Sequence, residues 1–214
     1  MLLIDWSKFL PALLLLLTPI ALLHGKRVRH RALPQDWSTH WGRTLSLGLH
    51  TIDFGRALLG AWYLTVALTV RPGTGELAGL YPLLAGAGVL AVAVVLQTFV
   101  CREPYSAHAP FAFVSGLVLG FLPLHVAGFA LLIAIVTTYG TRAATAYFPV
   151  LGFATLASGL LFDPKKLFLT VLATAIVLFL PWLLVLLFPR QWVVTHAMKR
   201  IGEKEKKSDL SELR

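Results

Sequence analysis

Long apolar runs separated by short polar connections recur along this chain, at Phe9 to Leu23, Leu45 to Val70, Ala78 to Val100, Pro110 to Tyr139, Ala143 to Phe162 and Leu167 to Phe188. About 20 apolar residues in helical form cross the roughly 30 Å of hydrocarbon in a bilayer. In water such runs would have to be buried, and the chain lacks the polar residues to cover them: 14% of its residues are charged, against about 25% in soluble domains. The connections are short: Arg71 to Glu76, Cys101 to Pro104, Gly140 to Arg142 and Asp163 to Lys166. The expected fold class is therefore all-α, a polytopic transmembrane helix bundle over residues 1–189, with a charged tail at 190–214.

The formal net charge is +9, and the basic residues gather beside the apolar runs, between Lys26 and Arg43 and from Arg190 to Arg214. That is the pattern of cytoplasmic segments facing anionic lipid, and without an aromatic and basic platform it does not point to nucleic acid. The first run has a nearly neutral N-terminal flank and is followed at once by Lys26, Arg27, Arg29 and Arg31. It reads as a retained anchor with its N-terminus outside, not as a cleaved signal.

If both basic segments are cytoplasmic, an even number of crossings must separate them, yet five apolar runs do. Pro110 to Tyr139 is too long for one ordinary crossing, and Pro123 stands near its middle, where it removes a backbone donor and clashes with the preceding turn. A break there makes a short hairpin with arms at 111–121 and 124–139, entering and leaving on the cytoplasmic side. The expectation is about seven membrane segments, at 9–23, 45–70, 78–100, 111–121, 124–139, 143–162 and 167–188, with basic loop 24–44, N-terminus outside and C-terminus cytoplasmic in a plasma membrane. One long kinked helix, giving six spans, is the alternative. Gly116 and Gly120 form a small-xxx-small pair suited to close helix packing.

His50, Asp53 and Arg56 stand at three-residue spacing near the entrance to the second run, so a helix lines them along one face. Asp53 pairs with Arg56, and the uncharged stretch from Ala57 to Val70 covers only about 21 Å, which draws the charged turn into the cytoplasmic third of the bilayer. An intramembrane ionisable residue is a functional-site candidate; snorkelling of Arg56 to headgroups is the competing explanation. With His125, Tyr139 and Arg142 the triplet makes a candidate polar pathway.

The loop residues Lys26, Arg27, Arg29, Arg31, Trp37, Trp41 and Arg43 suit contact with anionic lipid headgroups, on a helix lying along the cytoplasmic leaflet. A helix is likewise expected to emerge from the last span and fray into the tail. One cysteine, Cys101, precludes an internal disulfide; the triplet is an incomplete zinc set, and no cofactor motif is present. Three functions fit: a small transporter or channel with a polar vestibule, a non-catalytic membrane subunit or assembly factor with a membrane protein partner or in a homo-oligomer, and a membrane enzyme acting on a lipid phosphate. The last lacks the paired acidic motifs that bind divalent metal in such enzymes.

Overall fold

The computed structural model describes residues 2–19, 28–32, 47–70, 79–99, 106–162, 168–188 and 190–197. Among these, seven α-helices form one bundle: α1 (Trp6–Leu17), α2 (Leu47–Ala67), α3 (Leu80–Phe99), α4 (Phe111–Phe121), α5 (Leu124–Thr141), α6 (Tyr147–Phe162) and α7 (Phe168–Leu187). A 3-10 turn at Ala144–Ala146 joins α5 to α6. Five short strands accompany them: β1 (Leu2–Ile4), β2 (Val28–Ala32), β3 (Leu68–Val70), β4 (Ser106–His108) and β5 (Gln191–Ala197).

The strands label the ends of the bundle. β1 pairs antiparallel with β3, so the start of α1 and the end of α2 lie together. At the opposite end β5 is the centre of a three-stranded sheet, antiparallel to β2 and parallel to β4. The segments after α1, before α4 and after α7 therefore meet at one end. Two stretches expected to be helical are strands instead, 28–32 and 191–197. Backbone partners from distant parts of the chain satisfy their hydrogen bonds, overriding local preference. Lys26, Arg27, Trp37, Trp41, Arg43 and residues 198–214 lie outside the described residues.

α1 begins where the Asp5 carboxylate accepts hydrogen bonds from the Ser7 backbone N–H (3.1 Å), the Ser7 hydroxyl (2.6 Å) and Lys8 Nζ (2.6 Å). It ends earlier than the apolar run suggests, at Leu17 and not Leu23. Pro19 forces the preceding Thr18 out of helical geometry, to φ −74° and ψ 114°. α1 thus has 12 residues, a length of about 18 Å.

The break at Pro123 is present: α4 ends at Phe121 and α5 starts at Leu124. Both outer ends of this hairpin lie at the three-strand end. Its turn, however, is not at half depth. Phe121 lies against Gly86 and Leu68 near the two-strand end, and His125 packs edge-on against Phe162 at the far end of α6. Nor is α5 a short arm, for its 18 residues suffice for a crossing by length and composition.

Among the described residues, four helices are long and apolar enough to cross a membrane: α3, α5, α6 with its leading turn, and α7. The count of seven spans is not reproduced, because α1 and α4 have only 12 and 11 residues and α2 carries the polar triplet. The outside of the bundle is apolar, with Leu10, Leu59, Leu132, Val136, Leu183 and Leu186 exposed. Lipid tails solvate such a surface and water does not.

α2 occupies the centre of one side. It runs antiparallel to α1, where Gly60 receives the Leu16 side chain, and parallel to α4, where Gly116 and Gly120 rest on Phe54 to Ala61. A Cβ on Gly116 would overlap the Phe54 carbonyl oxygen and come within 3.0 Å of Ala57 Cβ; one on Gly120 would overlap the Leu58 carbonyl and lie 2.9 Å from Ala61 Cβ. The small-xxx-small pair is thus a packing device.

Two predictions follow from these joints. Gly116→Val and Gly120→Val each lower the thermal midpoint in detergent, by about 1–3 kcal/mol in stability, because backbone must move. Gly128→Ala, at a position with open space around it, leaves the midpoint unchanged. The second concerns Asp5, whose hydrogen bonds to Lys8 and then Ser7 hold its carboxyl below the usual 3.8. A carboxylate with a lowered value in the folded state stabilises above its unfolded value and stops doing so as pH falls through the folded one. The difference in melting temperature between the wild type and Asp5→Asn is expected to be constant above about pH 5 and to close below pH 3.8.

Candidate functional site

The triplet helix forms as expected, and its two charged members are buried. Asp53 is 1% exposed and Arg56 7%. The Arg56 Nε donates to Asp53 Oδ1 at 2.7 Å, one helical turn away. Its Nη2 lies in ion-pair range of the same oxygen but is not aligned for a hydrogen bond. Arg56 therefore does not snorkel to headgroups.

The guanidinium reaches the open end of α1. Its Nη1 donates to the Leu15 carbonyl oxygen at 2.9 Å and to that of Thr18. A helix terminus leaves its last carbonyls without intrahelical partners, and they carry a partial negative charge that a cation satisfies. Because Pro19 ends α1 inside the bundle, these carbonyls must find donors in protein. Gln97, 2% exposed near the end of α3, supplies another, its Nε2 lying 3.2 Å from the Thr18 oxygen and 3.5 Å from that of Leu16. The Phe113 ring of α4 closes the site, its centroid 4.8 Å from Arg56 Cζ, within the range of a cation–π contact. One cation thus joins α1, α2 and α4, and Asp53 balances it.

The other pathway residues are elsewhere. His50 lies one turn before Asp53 on α2, with its Nε2 buried. His125 is exposed at the opposite end of the bundle against Phe162. Tyr139 is 61% exposed on α5, and Arg142 is an exposed residue in left-handed geometry (φ 55°) that ends α5. The structure joins Asp53 and Arg56 and does not bring His125, Tyr139 or Arg142 to them. Of the headgroup candidates, Arg29 and Arg31 lie in β2.

Sequence reasoning missed Gln97 and Phe113. Gln97 had a signal, as the only amide side chain in the apolar α3. So did Thr18-Pro19, which ends a helix within an apolar run and so demands donors for its carbonyls. Phe113 had none.

Among the described residues, no group of His, Cys, Asp and Glu is placed to hold a metal ion. A groove of about 210 Å³ lies between Leu64, Leu68, Leu83 and Phe121 near the two-strand end; none of the triplet lines it. No protein-family model, curated protein or solved structure matches this chain.

The cluster predicts a specific mutational pattern. Asp53→Asn strands a buried guanidinium and is expected to cost about 3–5 kcal/mol. Arg56→Lys is also destabilising, since an ammonium lacks the planar fork that reaches two carbonyls and a carboxylate together. The double variant Asp53→Asn with Arg56→Gln melts above Asp53→Asn, because no charge is stranded. Thermal melts in one detergent measure all three, and an Asp53→Asn midpoint equal to the wild type would refute the assignment.

Proposed function

We propose that this chain is a non-catalytic integral membrane subunit or assembly factor, a helical scaffold that works in contact with another membrane protein. The observation that carries this reading is the use made of Asp53 and Arg56. The pair neutralises itself, and its remaining donors hold the end of α1 and lean on Phe113, a fastening role. Among the described residues, Arg29, Arg31, Arg142 and Arg190 stand at the three-strand end, while Lys8 stands at the other. By the positive-inside rule this supports a cytoplasmic three-strand end, with N-terminus outside and C-terminus inside, in a plasma membrane.

A small transporter is the second reading, and one observation favours it. α1 stops inside the bundle with its last carbonyls turned to a cationic group, the arrangement by which discontinuous helices in transporters hold an ion. Here Arg56 would be a tethered cation in the ion's place.

Two measurements separate these readings. The scaffold reading expects a stoichiometric partner when the tagged chain is isolated in mild detergent from the membranes of its own cells. It also expects proteoliposomes of the chain alone to pass protons and potassium no faster than empty vesicles. A flux lost in Asp53→Asn while the variant still melts as a folded protein would establish the transporter and displace the scaffold.

A further inference from the structure

Among the described residues, the helices long enough to cross a membrane differ in length. α3 and α7 have 20 residues each, a rise of about 29 Å from first to last and close to the roughly 30 Å of bilayer hydrocarbon. α5 has 18 residues and α6 has 16. On α5 the exposed apolar residues run from Leu124 to Tyr139 along one side, a rise of about 23 Å. Exposed His125 borders this stripe at one end, and exposed Thr141 and Arg142 border it at the other.

Packing fixes where the difference falls. His125 and Phe129 hold their rings against Phe162, the last residue of α6, and Gly159 of α6 receives Val171 of α7. The three helices are therefore level at the two-strand end, where Leu124, Phe162 and Phe168 are all exposed. Gly152 receives Phe179, so α6 and α7 keep this antiparallel register along their shared length. Carried to the three-strand end at 1.5 Å per residue, that register puts Leu187 about 5 Å beyond Gly140 along the bundle. Over that distance α7 presents Leu186 and Leu187 as exposed apolar side chains, whereas the α5 side already presents Thr141 and Arg142.

The apolar rim of the bundle is thus stepped at this end, low along α5 and high along α7. A stripe too short for its bilayer is met by thinner lipid, by flanking side chains that snorkel, or by association with protein. The phenol of Tyr139 is exposed, and such a group favours the headgroup region, which sets the boundary on α5 at the end of its apolar stripe.

We propose that the leaflet at the three-strand end thins along α5, and that this face takes phospholipids with short acyl chains. The proposal rests on the bundle being embedded in a bilayer; a scaffold and a transporter would carry the face equally.

The test uses the full chain carrying Cys101→Ser, spin-labelled at one introduced cysteine at a time and reconstituted in dioleoyl phosphatidylcholine. The four variants are Leu124→Cys, Gly140→Cys, Phe168→Cys and Leu187→Cys, with depth read from the relative access of oxygen and of a water-soluble nickel chelate. A Cβ at Gly140 meets nothing within 4 Å, so that label does not strain the fold. Labels at positions 140 and 187 are expected at one depth, and those at 124 and 168 likewise. A flat leaflet places the label at 140 about 5 Å deeper than that at 187. A bundle tilted to level that end displaces 124 from 168 by the same amount. Either result overturns the proposal. So does shielding of positions 124 and 140 from both reagents, which assigns the face to a second copy of the chain. Free nickel access at Ile176→Cys, in the middle of α7, would overturn the membrane embedding itself. The unlabelled chain guards against effects of the label: it melts higher in dimyristoleoyl than in dierucoyl phosphatidylcholine, and equal midpoints or the reverse order overturn the proposal too.

Discussion

A guanidinium buried against the end of a short helix holds one side of this bundle together. α1 stops after 12 residues because Pro19 follows, and its final carbonyls accept from side chains of neighbouring helices. Unsatisfied backbone in such a setting costs several kcal/mol per group. Arg56 offers a rigid fork of donors from α2, and Gln97 adds an amide from α3. The carboxylate of Asp53 makes the burial of that cation tolerable. Removing either charge exposes the penalty that the other was offsetting, so the two residues act as a unit.

The contact depends on how closely the backbones approach. Arg56 reaches the end of α1 because Gly60 lets Leu16 settle against α2, and it reaches Phe113 because Gly116 and Gly120 let α4 lie on the carbonyls of Phe54 and Leu58. Lipid provides little hydrophobic drive for helices to associate, so small residues that permit intimate packing must supply it through dispersion. The polar cluster and the glycine joints are therefore two aspects of one arrangement. The glycines set the distance, and the guanidinium uses it.

The two sheets tie the ends. β1 and β3 fasten the start of α1 to the end of α2, and the three-stranded sheet gathers segments that follow α1, precede α4 and follow α7. Its strand β4, Ser106 to His108, is wholly buried, and a buried backbone must have its hydrogen bonds met by neighbours. Pairing with β5 does that. The result is a helical bundle closed at one end by extended chain.

Apolar runs, the Pro123 break and the pairing of Asp53 with Arg56 at helical spacing were all readable in the sequence, because each follows from local geometry: period, ring chemistry and reach along one helix. Local rules fail where a group's partner is far away in the chain. Nothing near residues 28–32 or 191–197 announces that they will pair with each other, and the basic loop and tail looked helical for that reason. His125, Tyr139 and Arg142 looked like companions of the triplet, yet helix packing leaves the first at the opposite end and the other two exposed on the surface. The sequence by itself determined that the chain is helical, apolar outside and forced to settle a charge pair in an otherwise apolar helix. Only the tertiary structure decided how, because the carbonyls that Arg56 satisfies belong to another helix, about 40 residues earlier, and only packing brings them within hydrogen-bond distance.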